Sequence, residues 1–414
     1  MAIIRLGIIG LSCSAITSWA STAHLPYLLS PRGRSRFAIV ALCNSSIDAA
    51  KAAIKAYNLD PTTTRAYGDP AALAADADVD LVICCTRVDT HYALSKPSVE
   101  AGKHVFIEWP LTHDVKLSRD LVARAAEAAA AATDASASKN APLSSPPRTV
   151  VGLQGQLTPV VAKLRALVQG GTLGKVLSSE VRAFGGTMDR EKVKDGLGYF
   201  GDSKIGGNVF MIGFAHLFDY VQSVLGEATD IKSHLQLQRP EMKLTNASGT
   251  VTGSLRSDVP DLIAVTASLT PSRAVQQGAT LQVRFRRGQP FKGEPALAWW
   301  VNCEHGEIRL LSPAGTGLHA DAYARPVTID VHRFGHEEAS KAGEEAVVSK
   351  EEWTWLDWQE DNQLPLVARS VAQVYDEFYE HVVGGKERSY PDFGDALRRH
   401  EQLASMLGAW EAEL

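Results

Sequence analysis

Gly102-Lys103-His104-Val105-Phe106-Ile107-Glu108-Trp109-Pro110 is the stretch whose reading decides the fold. A short apolar run leaves a Gly-Lys turn and stops abruptly at an acid, an aromatic and a proline. Residues 3–9, 37–43 and 81–85 are apolar runs of the same kind, without alternation. Helical patterns at 47–57, 91–101 and 115–131 follow these runs. Strands that are apolar on both faces and separated by helices predict a parallel sheet covered on both sides. In such a sheet ligands bind beyond the carboxyl ends of the strands, so Glu108-Trp109-Pro110 marks an expected site.

A chain of 414 residues predicts two domains. The α/β part is placed at 1–153, with an Ala/Ser/Pro-rich stretch at 128–148 that reads as a flexible, solvated insertion. A C-terminal α/β domain is placed at 154–414. There, 176–184, 230–237, 249–256, 262–270, 280–286, 297–304 and 307–311 read as strands joined mostly by turns. That pattern predicts one large, mainly antiparallel open sheet, accompanied by helices at 208–225, 367–383 and 393–414.

A net charge of −5 gives no reason to expect a nucleic-acid or membrane partner. Five cysteines, mostly in apolar runs and without C-x-x-C spacing, read as reduced thiols of a cytoplasmic protein, and no metal site is expected. The first 23 residues imitate a signal peptide, but 3–9 reads better as the first strand of the sheet.

Gly7-Ile8-Ile9-Gly10-Leu11-Ser12-Cys13-Ser14-Ala15 lies where a dinucleotide fingerprint belongs, after the first strand. Gly10 and Ala15 can take the first and third small-residue roles, with Ser12 in the second offering a hydroxyl to phosphate. The second strand ends at Asn44-Ser45-Ser46, with no acid to grip both ribose hydroxyls. Room for a 2′-phosphate favours NADP over NAD, although Ser46 fits a helix cap equally well.

The 102–110 stretch resembles the G-K-H-V-x-x-E-K-P signature of the Gfo/Idh/MocA family of nicotinamide-dependent oxidoreductases. The resemblance implies a Rossmann domain, a second domain with a large open sheet, an NAD(P) cofactor, and hydride transfer to or from a carbonyl, alcohol or enone. It places Glu108, Trp109 and Pro110, and the Thr86-Arg87-Val88-Asp89-Thr90-His91 stretch, beside the cofactor. Arg87 reads either as a phosphate contact or as a surface ion pair with Asp89. Where the family carries a substrate-facing lysine stands Trp109, which has no proton to give.

Gly206-Gly207-Asn208 through His216 resembles the family's second-domain motif. Counted from the glycine pair, the family's aspartate falls on Ile212 and its histidine on His216. His216 and Asp219, three apart on one helix, are expected to pair so that the carboxylate orients the imidazole as acid or base. The alternative is a satisfied core histidine. Tyr199, Lys204 and Gln154 complete the expected pocket, whose lost lysine and aspartate suit an apolar or aromatic small molecule.

Gly10-Leu11-Ser12, Trp19-Ala20, Glu108-Trp109 and Leu153-Gln154-Gly155-Gln156 are similar to the branch of the fungal galactose-regulon repressors. That similarity implies a second reading, a catalytically silent NAD(P)-binding regulator acting on a protein partner. The first reading is an enzyme of fungal secondary or sugar metabolism. In both, the large open sheet predicts a homo-oligomer.

Overall fold

In the computed structural model, which describes residues 2–135, 146–185, 189–334 and 348–411, the chain divides into two compact units. The first comprises Met1–Gln154, Lys204–Gly207 and Leu356–Glu401. The second comprises Gly155–Ser203, Asn208–Trp355 and Gln402–Leu414. The single break expected after residue 153 is corrected by this division, because 356–401 packs with the first unit.

The first unit is built on β1 (Ile4–Ile9), β2 (Phe37–Cys43), β3 (Arg65–Tyr67), β4 (Leu81–Cys84), β5 (His104–Ile107) and β6 (Thr149–Val151). They form one parallel sheet in the order β3-β2-β1-β4-β5-β6. Leu6, Ile8, Val82, Ile83, Val105 and Ile107 are buried on both faces, which explains why these strands read as unbroken apolar runs. The helix Leu366–Val382, expected in the other domain, lays Tyr375 5.4 Å from Phe37 on β2 and 5.4 Å from Phe106 on β5. Buried aromatics of this kind contribute about 3–5 kcal/mol each, enough to fix the docking of a helix distant in sequence. Val115–Ala135 is one continuous helix, so the insertion expected at 128–148 begins as helix. Its remainder at 136–145 lies outside the described residues.

The second unit holds β7 (Val176–Gly185), β8 (Lys192–Lys194), β9 (Ala228–Gln236), β10 (Glu241–Thr245), β11 (Val251–Arg256) and β12 (Leu262–Leu269). β13 (Val275–Arg287), β14 (Leu297–Cys303), β15 (Gly306–Ser312), β16 (Thr328–Arg333) and β17 (Val348–Glu351) follow. The large sheet runs β17-β16-β15-β14-β7-β13-β12-β9, antiparallel throughout except for the β7–β13 pair. A small sheet orders β11-β10-β8. Leu281, Val283 and Phe285 of β13 are buried while Gln282 and Arg284 are exposed, the period of a one-sided sheet. The helix Ala215–Leu225 covers the buried face, with Tyr220 6.1 Å from Trp299. Among the described residues, no helix is long and apolar enough to cross a membrane.

Candidate functional site

The first unit supplies the expected cofactor end. After β1 the chain turns at Gly10 with φ +96°, where a Cβ would stand 2.7 Å from Cys85 O and Thr86 Cγ2. Only glycine fits that turn. Gly7 acts differently: it lies inside β1, and a Cβ there would press on Leu73 at 2.9 Å. It is a packing glycine rather than a phosphate contact.

The chain from Leu11 to Ser18 is non-helical, and a π-helical turn, Ala20–His24, opens the next helix. Ala15, expected to pack against that helix, is instead exposed in the loop. Ser12 Oγ accepts from Ser14 N at 3.2 Å, and Tyr57 donates its hydroxyl to Ser12 O at 2.8 Å. Asn44 Nδ2 donates to Leu11 O at 3.0 Å and ties the end of β2 to the same loop. Ser45 is exposed, while Ser46 caps the following helix by accepting from Ala49 N at 3.1 Å.

Thr86 Oγ1 accepts from Thr90 Oγ1 at 2.8 Å. Of the two readings of Arg87, the ion pair forms: its guanidinium meets Asp89 at 2.6 and 2.7 Å and holds that carboxyl below its ordinary pKa. His91 is a correction. Its ring nitrogens stand 2.9 Å from Pro110 O and 3.0 Å from Thr86 O, so the buried imidazole clamps two strand exits and has no nitrogen left for a cofactor.

Glu108 Oε1 lies 2.9 Å from His24 Nε2, and the other ring nitrogen of His24 lies 2.7 Å from Tyr375 OH. A Cβ on Gly152 would collide with Glu108 Oε2. Cys85 Sγ joins this group, and one ligand atom each from His24, Cys85 and Glu108 falls within 4.8 Å of the others. The His24–Glu108 distance is that of a hydrogen bond, and burial pushes the Cys85 thiol well above its ordinary pKa. A protonated thiol beside a hydrogen-bonded pair makes a polar network rather than a ready ligand set. Trp109 is buried with its indole 4.7 Å from the His400 ring. Gln154 is buried, and its Oε1 has no hydrogen-bond partner among the described residues.

The second unit supplies the expected catalytic end. Asn208 Oδ1 accepts from Phe210 N at 3.1 Å and Met211 N at 2.9 Å, capping a π-helical turn at Val209–Phe214. Asn208, Ile212 and His216, four residues apart, line one cavity of about 580 Å³. Val193, Leu197, Phe200, Met242 and Val259 give it apolar walls. His216 packs against His319 with ring centroids 4.1 Å apart and planes tilted by 31°. Burial, with the neighbouring His319 ring, holds His216 well below its ordinary pKa, and burial pushes His319 down to about 4. Both rings are neutral at pH 7.

The expected pairing of Asp219 with His216 is corrected. Asp219 accepts from Gln156 Nε2, 3.0 Å from each carboxylate oxygen, and Arg165 Nη2 donates to Gln156 O at 2.9 Å. Tyr199 packs edge-on against Phe200 at 4.8 Å, and of the two it is Phe200 that lines the cavity. Lys204 is exposed on a short turn of the first unit and does not line the cavity. His319 was not legible as a site residue, since no motif or spacing connects it with His216. His24 and Tyr375 escaped for the same reason.

Residues 4–133 match the Gfo/Idh/MocA family model, an oxidoreductase family with an NAD-binding Rossmann fold. Residues 159–312 match the model of the Gal80p C-terminal domain. Dehydrogenase aclE of Aspergillus oryzae is 29% identical over 62% of this chain and 64% of its own length. The galactose/lactose metabolism regulatory protein GAL80 of Saccharomyces cerevisiae is 24% identical over 75% of this chain and 67% of its own. The matched regions thus span about two thirds of these curated relatives. A super-repressor mutant of that Gal80p has the same fold, with a TM-score of 0.80 at 19% identity over 100% of this chain and 97% of the other. Levoglucosan dehydrogenase, solved with NADH and L-sorbose, superposes with a TM-score of 0.71 at 16% identity over 100% and 98%. One region of the chain thus matches the NAD-binding Rossmann fold of the Gfo/Idh/MocA oxidoreductases and another matches the C-terminal domain of Gal80p.

Proposed function

We propose that the chain is an NAD(P)-dependent oxidoreductase that passes a hydride to or from a carbonyl, alcohol or enone without a catalytic lysine. The observation that carries this reading is the placement of His216 beside Ile212 in an apolar cavity of small-molecule size. A dinucleotide fits the residues of the first unit: the Gly10 turn that a Cβ would fill, the hydroxyls of Ser12 and Ser14, and the orphaned Gln154 acceptor. With Asn44, Ser45 and Thr86 they would hold the cofactor, NADP in preference to NAD because 44–46 carries no acid. When bound, that group supplies or accepts the hydride.

The rest falls to side chains of the second unit. Neutral His216 takes the proton of a substrate hydroxyl at a ring nitrogen or holds a carbonyl by hydrogen bond. His319 keeps the ring in place by packing against it, and the apolar walls exclude water. Self-association through the large sheet and a cytoplasmic location accompany the proposal.

A second reading is a silent NAD(P)-binding regulator. It draws on Trp109, which is committed to packing on His400 where the family carries its lysine, and on the similarity to Gal80p. One experiment separates the two. NADH and NADPH are titrated by nicotinamide fluorescence, and carbonyl substrates are then screened for loss of nicotinamide absorbance. Turnover lowered roughly 10²-fold by His216→Ala supports the enzyme; tight binding without turnover supports the regulator; binding of neither nucleotide sinks both.

A further inference from the structure

Three guanidinium groups, from Arg190, Arg239 and Arg286, line a depression of about 400 Å³ in the second unit, and Arg239 also lines the His216 cavity. None of the three has a carboxylate partner among the described residues. Arg190 Nη2 and Arg286 Nη2 both donate to the same acceptor, Gln289 O, at 2.9 Å each. Arg286 Nη1 also donates to Arg287 O at 3.0 Å, and its guanidinium lies 4.9 Å from the Phe184 ring centroid. Gly288, with φ +90°, lets Arg190 lie across the turn, since a Cβ there would collide with Arg190 Cγ.

Like charges held together by one carbonyl repel, and the half-buried positions of Arg239 and Arg286 weaken screening by water. Arg190 Nε is buried and has no hydrogen-bond partner among the described residues. An oxyanion seated among the three guanidinium groups would accept from their N–H groups and relieve that repulsion. The two carboxylates nearby already accept from the backbone. Asp261 takes Gln238 N and Arg239 N at 2.7 and 3.0 Å, and Asp189 takes Glu191 N and Lys192 N at 2.8 Å each.

We propose that Arg190, Arg239 and Arg286 form an oxyanion subsite that receives the carboxylate or phosphate of a ligand whose uncharged body enters the His216 cavity. The placement of the body rests on reading that cavity as the substrate site; the anion subsite itself does not. The ligand is therefore an acid with an apolar remainder, and Arg239 is where head and body meet.

Calorimetry on the full chain without cofactor tests this with 4-phenylbutyrate, its neutral amide and inorganic phosphate. The acid is expected to bind roughly tenfold or more tightly than the amide. Arg190→Gln and Arg286→Gln should each erase that advantage while leaving amide binding unchanged, and added salt should shrink it. Weak competition by inorganic phosphate supports the phosphate form of the ligand; its absence supports the carboxylate form. Acid and amide binding alike, neither binding at millimolar concentration, or variants binding the acid as the parent does would each overturn the proposal. Melting curves check the variants, and Arg239→Gln replaces any that unfolds. NADH binding is measured on the same samples, so loss of the redox reading with the acid preference intact is distinguishable from loss of the subsite.

Discussion

The indole of Trp109 and the imidazole of His400 pack with centroids 4.7 Å apart and planes tilted by 40°. Both rings are buried, and burial pushes His400 down to about 3. A lysine at 109 would replace this contact with an ammonium that burial disfavours. Trp109→Lys is expected to lose about 3–5 kcal/mol of stability and to gain no turnover, read by chemical denaturation and NADH oxidation. Recovered activity at unchanged stability would show that the position is open to substrate after all.

His216→Ala should lower kcat roughly 10²-fold while leaving the NADH dissociation constant within about twofold of the parent. In the proposed mechanism His216 works as the neutral ring, and burial holds its pKa down. Activity is therefore flat around pH 7 and falls only as acid protonates the ring. A steep rise of kcat between pH 6 and 8 would assign the proton step elsewhere.

Gly10→Ala places a Cβ at positive φ and 2.7 Å from Cys85 O. The expected outcome is a loss of about 2 kcal/mol or more, together with loss of nucleotide binding. Nucleotide binding retained at full strength would mean that the cofactor does not use this turn.

Ser45 is exposed at the exit of β2 with no acid beside it in 44–46. Ser45→Asp should weaken NADPH roughly tenfold by charge repulsion and leave NADH equal or tighter. Fluorescence titration of both nucleotides decides it, and equal loss for both would remove the case for NADP.

Acid should destabilise the protein through buried imidazoles. Burial pushes His104 and His319 down to about 4 and His400 to about 3. His104 Nδ1 also accepts from Arg148 N at 2.9 Å, a bond that requires that nitrogen unprotonated. The unfolded chain binds protons below roughly pH 6.5 that the folded chain refuses, so stability falls as pH drops from about 6.5 toward 4. Each group removes about 3 kcal/mol over that span. Denaturation midpoints between pH 4 and 8 check the slope, which His104→Gln should flatten; midpoints independent of pH below 6.5 would contradict it.

The Rossmann half was legible because burial on both faces leaves an unbroken apolar run, as in Leu81-Val82-Ile83-Cys84. The strands of the large sheet were legible where one face is solvated, as in β13. Short edge strands escaped: Lys192–Lys194 and Val348–Glu351 carry too few apolar residues to declare themselves. The helix at 366–382 was legible as a helix but not its destination, because Tyr375 meets Phe37 and Phe106 from far along the chain.

At the candidate site the same limit applies. Gly10 and the alignment of Ile212 with His216 follow from local pattern. The packing of His216 on His319, the diversion of Asp219 to Gln156, and the closure of His24 on Glu108 are contacts between distant positions. His91 matched its motif but does other work. Spacing identified the residue, and only the position of two carbonyls reveals its task.

That task has a mechanical side. With one imidazole edge against Thr86 O and another against Pro110 O, the gap between the exits of β4 and β5 is set by the width of a five-membered ring. The rim there is a spacer of fixed gauge. A nucleotide held as proposed would meet, at the exits of β4 and β5, a rim whose spacing this one ring sets.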